Sequence, residues 1–275
     1  MDKKRFDQAE GLRRMLSGAR PRVFTFISTL PREEKVAMLT NIGASLANAD
    51  SSVLLLDATI GVRGTASYLD ISQAVTLLHA ARKEYDLEHA IRHAPQGFCM
   101  ATLGRSSLQA VLRNRLQAGR LKSIFDKLIN CFDVIMIDAQ LSDDDDLIFP
   151  ILPEGEIVIH VSDNARSIKA AYAIIKQINS REGRRSFGVL LTGASEKRTQ
   201  AVYENMAKAA SRYLAVSLNA IGYVPTDEYI GKAASLGKTV VDAFPKAGAA
   251  IAFRQLAGYF SCADVTSKGM GVMSH

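Results

Sequence analysis

Short apolar runs alternate along this chain with longer stretches of helical periodicity. Val23-Phe24-Thr25-Phe26-Ile27-Ser28 reads as a first strand. A helix follows, carrying Val36, Leu39, Ile42, Leu46 and Ala47, and a second strand, Val53 to Leu56, ends at Asp57. The run from Asp133 through Val134, Ile135, Met136 and Ile137 to Asp138 is apolar without alternation, the mark of a strand covered on both faces. Gly97 to Ala101, Ile157 to Val161, Phe187 to Leu191 and Ala220 to Val224 give further strands. Helices are predicted over 164–180, 196–213 and 247–260, with a long helical stretch from Ser107 to Asn130. Strand and helix in alternation predict an α/β fold, a doubly wound and mostly parallel sheet flanked by helices. The division expected is a separate N-terminal helix over 1–20, an α/β domain over 21–262 and a flexible tail over 263–275.

The turn between the first strand and its helix sharpens this picture. In a nucleotide-binding βαβ unit it would be rich in glycine, because a phosphate cradle needs successive backbone N–H groups turned inward at close range. Here it reads Ser28-Thr29-Leu30-Pro31-Arg32-Glu33-Glu34-Lys35-Val36, with no glycine. The residue after Lys35 is Val36, which has no hydroxyl for a metal.

Composition adds bounds. With 275 residues and 48% hydrophobic content, the chain can bury one large α/β core, or two smaller ones. No apolar run approaches the about 18 residues of a membrane helix, and the N-terminus lacks a signal peptide's apolar stretch. A cytoplasmic protein is expected, consistent with three scattered cysteines, Cys99, Cys131 and Cys262, that form no CxxC pair. The net charge of +6 is compatible with solvated surface, nucleic acid or an anionic membrane, and decides nothing alone.

The layout, together with Phe6-Asp7-Gln8-Ala9-Glu10-Gly11-Leu12-Arg13-Arg14-Met15-Leu16 at the front, resembles the deviant-Walker ATPases that include MinD and ParA. Within them it is similar to the flagellar-number regulators of the FlhG or FleN type, whose members carry an Asp-Gln-Ala-x-x-Leu-Arg helix ahead of the domain. The resemblance covers about residues 5 to 260 and implies a P-loop NTPase-like fold of the MinD/ParA type. It also implies that the front helix, led by Asp7, Gln8, Ala9, Leu12 and Arg13, engages an FlhF-type GTPase. Phe6, Ala9, Leu12 and Leu16 share a face at helical spacing, so either a partner groove or the chain's own domain could receive it.

The resemblance maps the family's phosphate loop onto Leu30 to Val36. Lys35 matches the lysine on the terminal phosphates, while Leu30 and Val36 replace the signature lysine and the metal-ligating hydroxyl. Asp57 matches the aspartate after the second strand, Thr59 replaces the water-positioning aspartate, and Asp138 matches the Walker B aspartate. Gly222 to Asp227 resembles the loop near the base, and Thr192 stands where an adenine-reading Asn is common. Lys35, Asp57 and Asp138 are thus the candidate cofactor-binding residues, vestigial in this reading. No catalytic residue, metal site or resident cofactor, ATP and Mg²⁺ included, is expected. Without the signature lysine, a monomer or a differently built dimer is expected.

Other patterns read as ordinary surface or core. Asp143 to Asp146 lacks the alternating spacing and glycine of an EF-hand loop and reads as a solvated acidic loop. His89 and His93 would share a face if their stretch were helical, but no third metal ligand converges. Arg113 to Lys122 is basic without interleaved aromatics, favouring a charged helix face over nucleic acid. Ala249 to Phe260 is apolar nearly all round, favouring a core helix over a membrane anchor. The reading is a non-catalytic regulator of flagellar number and assembly, cytoplasmic and brought to the cell pole by partners. Two alternatives stand beside it: a weak ATPase using Lys35, Asp57 and Asp138, and an antiactivator of an enhancer-binding flagellar transcription activator with nonspecific DNA contact.

Overall fold

The computed structural model describes residues 21–59, 64–71, 75–104, 108–141, 155–183 and 185–261. The expected N-terminal helix with Asp7, Gln8, Ala9, Leu12 and Arg13, the Asp143–Asp146 run and the C-terminal tail lie outside them.

In chain order the elements are β1 (Arg22–Ser28), α1 (Arg32–Ala47), β2 (Val53–Asp57), α2 (Thr65–Tyr68), α3 (Leu77–Ala81), a 3₁₀ turn (Leu87–Ala90), β3 (Ile91–His93) and β4 (Cys99–Thr102). There follow α4 (Leu108–Arg113), α5 (Arg115–Cys131), β5 (Val134–Ala139), β6 (Glu156–Ser162), α6 (Ala165–Glu182), β7 (Phe187–Thr192), α7 (Glu196–Leu214), β8 (Leu218–Val224), α8 (Glu228–Ser235), α9 (Val240–Ala243) and α10 (Gly248–Ser261). They build one eight-stranded sheet ordered β3-β4-β2-β5-β1-β6-β7-β8, parallel except for the β3–β4 pair. The mostly parallel doubly wound sheet read from the sequence is what is found.

Both faces of the sheet are covered, which is why the central strands are apolar throughout. Residues of α3, α5, α6 and α7 pack on one face, including Leu121, Phe125, Ile175 and Met206. Those of α1, α8, α9 and α10 pack on the other, including Leu39, Ile42, Val240 and Phe253. The apolar C-terminal helix closes this second core. In α10, Phe253, Leu256 and Phe260 are buried, and the Phe260 ring meets Phe24 edge-on at 4.7 Å between centroids. Burial of that kind resists truncation by about 3–5 kcal/mol per Phe.

Two local readings need correction. The stretch from Ser107 to Asn130 is not one helix, because the Asn114 side chain accepts from Leu116 N and Gln117 N and starts a second helix there. His89 and His93 do not share a helix face. His89 lies in the 3₁₀ turn, and His93 ends a strand with its Nδ1 3.4 Å from Cys99 Sγ.

Candidate functional site

Parallel strands converge their loops at the carboxyl edge of the sheet, and a site in such a fold sits there. β2 and β5 are adjacent and in register, with Asp57 opposite Asp138, so their last carboxylates stand side by side. α1 rises from the end of β1, the neighbour of β5 on the other side, and brings Lys35 over them. The three residues singled out from the sequence are therefore brought together. Lys35 Nζ lies 2.7 Å from Asp138 Oδ1, and the pair is almost fully buried.

The remaining carboxylate oxygens are satisfied by the chain itself. Thr65 donates to Asp138 Oδ2 through its N–H (3.2 Å) and its hydroxyl (2.6 Å). Thr59 donates to Asp57 Oδ1 through its N–H (3.0 Å) and its hydroxyl (2.7 Å), and Ala66 N donates to Asp57 Oδ2 (2.9 Å). The residue standing where the family carries its second aspartate is thus a donor to the first. Close approach of this turn depends on Gly64: a Cβ there would lie 2.0 Å from Asp57 Oδ2. Arg32 fastens the turn from above, donating from Nη2 to Gly64 O at 3.0 Å with its guanidinium 5.3 Å from the Tyr68 ring centroid.

Charge is unbalanced here, with two carboxylates against one ammonium. Burial pushes the Asp138 carboxyl above its usual range; Lys35 opposes this and the Asp57 charge adds to it.

The β1–α1 turn is committed as well. Thr29 N donates to His160 O (3.0 Å), Leu30 N donates to Ser28 Oγ (3.1 Å), and Pro31 has no N–H. α1 begins at Arg32, three residues before Lys35, so the second half of the expected loop is helix. Its first turn carries Glu33 and Glu34, both exposed, placing negative charge where the helix N-terminus would favour an anion. His160 was not singled out from the sequence. It is buried two residues before the end of β6, its Nδ1 3.0 Å from Ser28 Oγ and its Nε2 3.0 Å from Thr192 Oγ1. Burial, with the Lys35 charge nearby, lowers it to about 3, so it is neutral at physiological pH. Thr192, the position compared with an adenine-reading Asn, is spent on this imidazole. The Gly222 to Asp227 segment is likewise structural at its end, since Asp227 accepts from Tyr229 N and from Ala249 N, 2.9 Å each.

No family model matches the chain. Among solved structures, MinD from Aquifex aeolicus superposes with a TM-score of 0.64 at 18% identity, over 86% of this chain and 95% of that one. A ParA family ATPase from Chlorobium tepidum gives 0.63 at 16%, over 86% and 98%. In sequence, the antiactivator FleN of Pseudomonas aeruginosa is 27% identical over 224 residues, 81% of this chain and 80% of FleN. The chain thus resembles the antiactivator FleN in sequence and the MinD and ParA ATPases in fold. A putative MinD from Emiliania huxleyi is 24% identical over 75% of each chain. Among the described residues, no helix is long and apolar enough to cross a membrane.

Proposed function

We propose that the chain is a FlhG-like regulator of flagellar number and assembly that acts without binding or hydrolysing nucleotide. One observation carries this reading. The Lys35–Asp138 pair is closed over by the turn from Gly64 to Ala66, whose donors occupy the carboxylates that a metal ion would use. The residues present do not fit a magnesium–triphosphate group. Thr29, Leu30 and Pro31 offer no free loop N–H, Val36 has no hydroxyl, and Glu33 and Glu34 would face the phosphates' charge. Lys35, Asp57 and Asp138 are in this view a retained constellation turned to structural use. The domain is then held in one state rather than cycled between two, and it is not an enzyme.

Output from such a domain has to come through partners. Asp7, Gln8, Ala9, Leu12 and Arg13 would engage an FlhF-type GTPase, the role implied by their resemblance to the flagellar helix, and place the protein at the pole. Similarity to an antiactivator favours a second output, restraint of a flagellar transcription activator. The two are compatible.

Isothermal titration with MgATP tests the first claim: no heat of binding is expected, and binding lost in Lys35→Ala would instead support a weak ATPase. GTP hydrolysis by the cognate FlhF-type protein, with full-length chain or its Gln8→Ala and Leu12→Ala variants, tests the second. Stimulation lost in both variants is expected. No stimulation by the unaltered protein would leave the antiactivator reading, tested by capture of the activator's ATPase domain.

A further inference from the structure

On the face remote from α1, helices α6 and α7 run beside each other and leave a groove of about 360 Å³ between them. It is lined by Tyr172, Ala173 and Lys176 of α6 and by Ala209, Tyr213 and Leu214 of α7. The helices are tied beneath it: Tyr172 donates its hydroxyl to Met206 O at 3.0 Å, and Asn179 Nδ2 reaches Leu214 O at 3.4 Å. Tyr213 stands at the rim, 72% exposed, with the Arg212 guanidinium 5.4 Å from its ring centroid. An aromatic left this open, beside an apolar floor, suits a binding surface better than a monomer's surface.

The rim is cationic. α6 carries four Lys or Arg and one Glu, and α7 four and two, so these two helices hold a net +5 while the whole chain is +6. Lys169 lies one turn before Ala173 on the groove side, Lys176 lines the groove, and Lys208 and Arg212 flank it on α7. Among the described residues, no ion pair engages Lys169, Lys176 or Lys208. The carboxylates on these helices stand elsewhere: Glu182 at the end of α6, Glu196 in the first turn of α7, and Glu204, which accepts from Gln200.

We infer that this groove binds an acidic amphipathic helix of a partner protein, its apolar stripe on the groove floor and its carboxylates against the lysine rim. Two parallel-packed helices receive a third by interdigitation of apolar side chains, and the surrounding charge selects an acidic one. Residues 1–20 of the chain do not suit it, since they carry six Lys or Arg against three acids. A nucleic acid backbone would use the lysines and leave the apolar floor uncovered. The inference is independent of whether the site at Lys35 binds nucleotide.

The test is fluorescence anisotropy on the full-length protein with a labelled helical peptide of about 18 residues, five turns, bearing Leu along one stripe and Glu beside it. The controls are a scramble of equal composition and a version with Lys for Glu. The acidic amphipathic peptide is expected to bind about tenfold more tightly than either control. Lys176→Glu and Tyr213→Ser are each expected to weaken it about fivefold or more with unchanged melting. Ala173→Glu, at an exposed position, gives a third variant should one of these fail to fold. Equal binding of the scramble, or unchanged binding in the folded variants, overturns the inference. So does displacement of the peptide by duplex DNA at lower concentration, which would make this a nucleic-acid face. Self-association abolished by Lys176→Glu would overturn it in favour of a second copy of the chain.

Discussion

Replacing Lys35 with Met keeps most of the side chain's volume and removes its charge. In the folded protein this leaves Asp138, fully buried, without the ammonium 2.7 Å away, beside a second buried carboxylate at Asp57. Removing one partner of a buried ion pair costs about 3–5 kcal/mol, because the other charge is left uncompensated. For a domain of this size each kcal/mol is about 2–4 °C of melting temperature, so the variant should melt about 6–20 °C lower without nucleotide. The sign of its pH dependence follows. Asp138 already titrates above its usual range, and losing Lys35 raises it further. A carboxyl raised on folding contributes stability below its unfolded pKa, and loses it as pH rises through the folded one. The gap between variant and wild type should therefore narrow as the pH falls from 8 to 5. Lys35→Met combined with Asp138→Asn should recover part of the loss, a non-additivity that identifies the pair. The assay is circular dichroism during heating and in urea, without nucleotide. Melting within about 1 °C of wild type, or a gap that widens in acid, would refute a structural role for Lys35.

Three further outcomes follow. Gly64→Ala should destabilise by about 1–3 kcal/mol in urea titration, since the added carbon meets both Asp57 oxygens; an unchanged midpoint would mean the turn does not sit on Asp57. His160 is lowered to about 3 on folding, so unfolding takes up a proton that the native imidazole refuses. Stability should fall as pH drops below about 6.5, by up to roughly 1.4 kcal/mol per pH unit. His160→Gln should lose that component, as read from the difference of the two stability–pH curves. Arg32→Ala should speed hydrogen exchange at Thr65 and Ala66 severalfold, by freeing Gly64 O and Tyr68; unchanged protection there would show that Arg32 does not hold the turn.

The layered sheet was legible because its strands leave continuous apolar runs; β5 is buried at every position from Val134 to Ala139, and the letters say so. The break at Asn114 was harder, since an Asn tolerated inside a helix and one capping the next differ only in where the side chain turns. β3 is three residues long, too short for any period to show, and the spacing of His89 and His93 mimicked a helix. At the site, the sequence marked Lys35, Asp57 and Asp138 by alignment with a known pattern, and the fold brings them together. The roles of Thr59, Gly64 and Thr65 were hidden because they depend on a turn folding back across β2 and β5. His160 sat within the apolar run of β6 and read as core. The available signal was its place two residues from the carboxyl end of a parallel strand, where such folds put their chemistry.

The central position of β1 has a consequence for how the chain is made. Arg22 pairs with Val134 on one side, and Phe24 with Glu156 on the other. Among the described strands, β1 is therefore made before all others, while its two neighbours are synthesised last among the central strands. At about 5–20 residues per second, Val23 to Ile27 wait roughly 5–20 s or more with both hydrogen-bonding edges bare. Such nonlocal parallel pairing folds slowly and is open to aggregation in the interval. The nascent chain should accordingly depend on a holding chaperone until β5 and β6 emerge, and a truncation ending before Val134 should precipitate rather than persist as a partial domain.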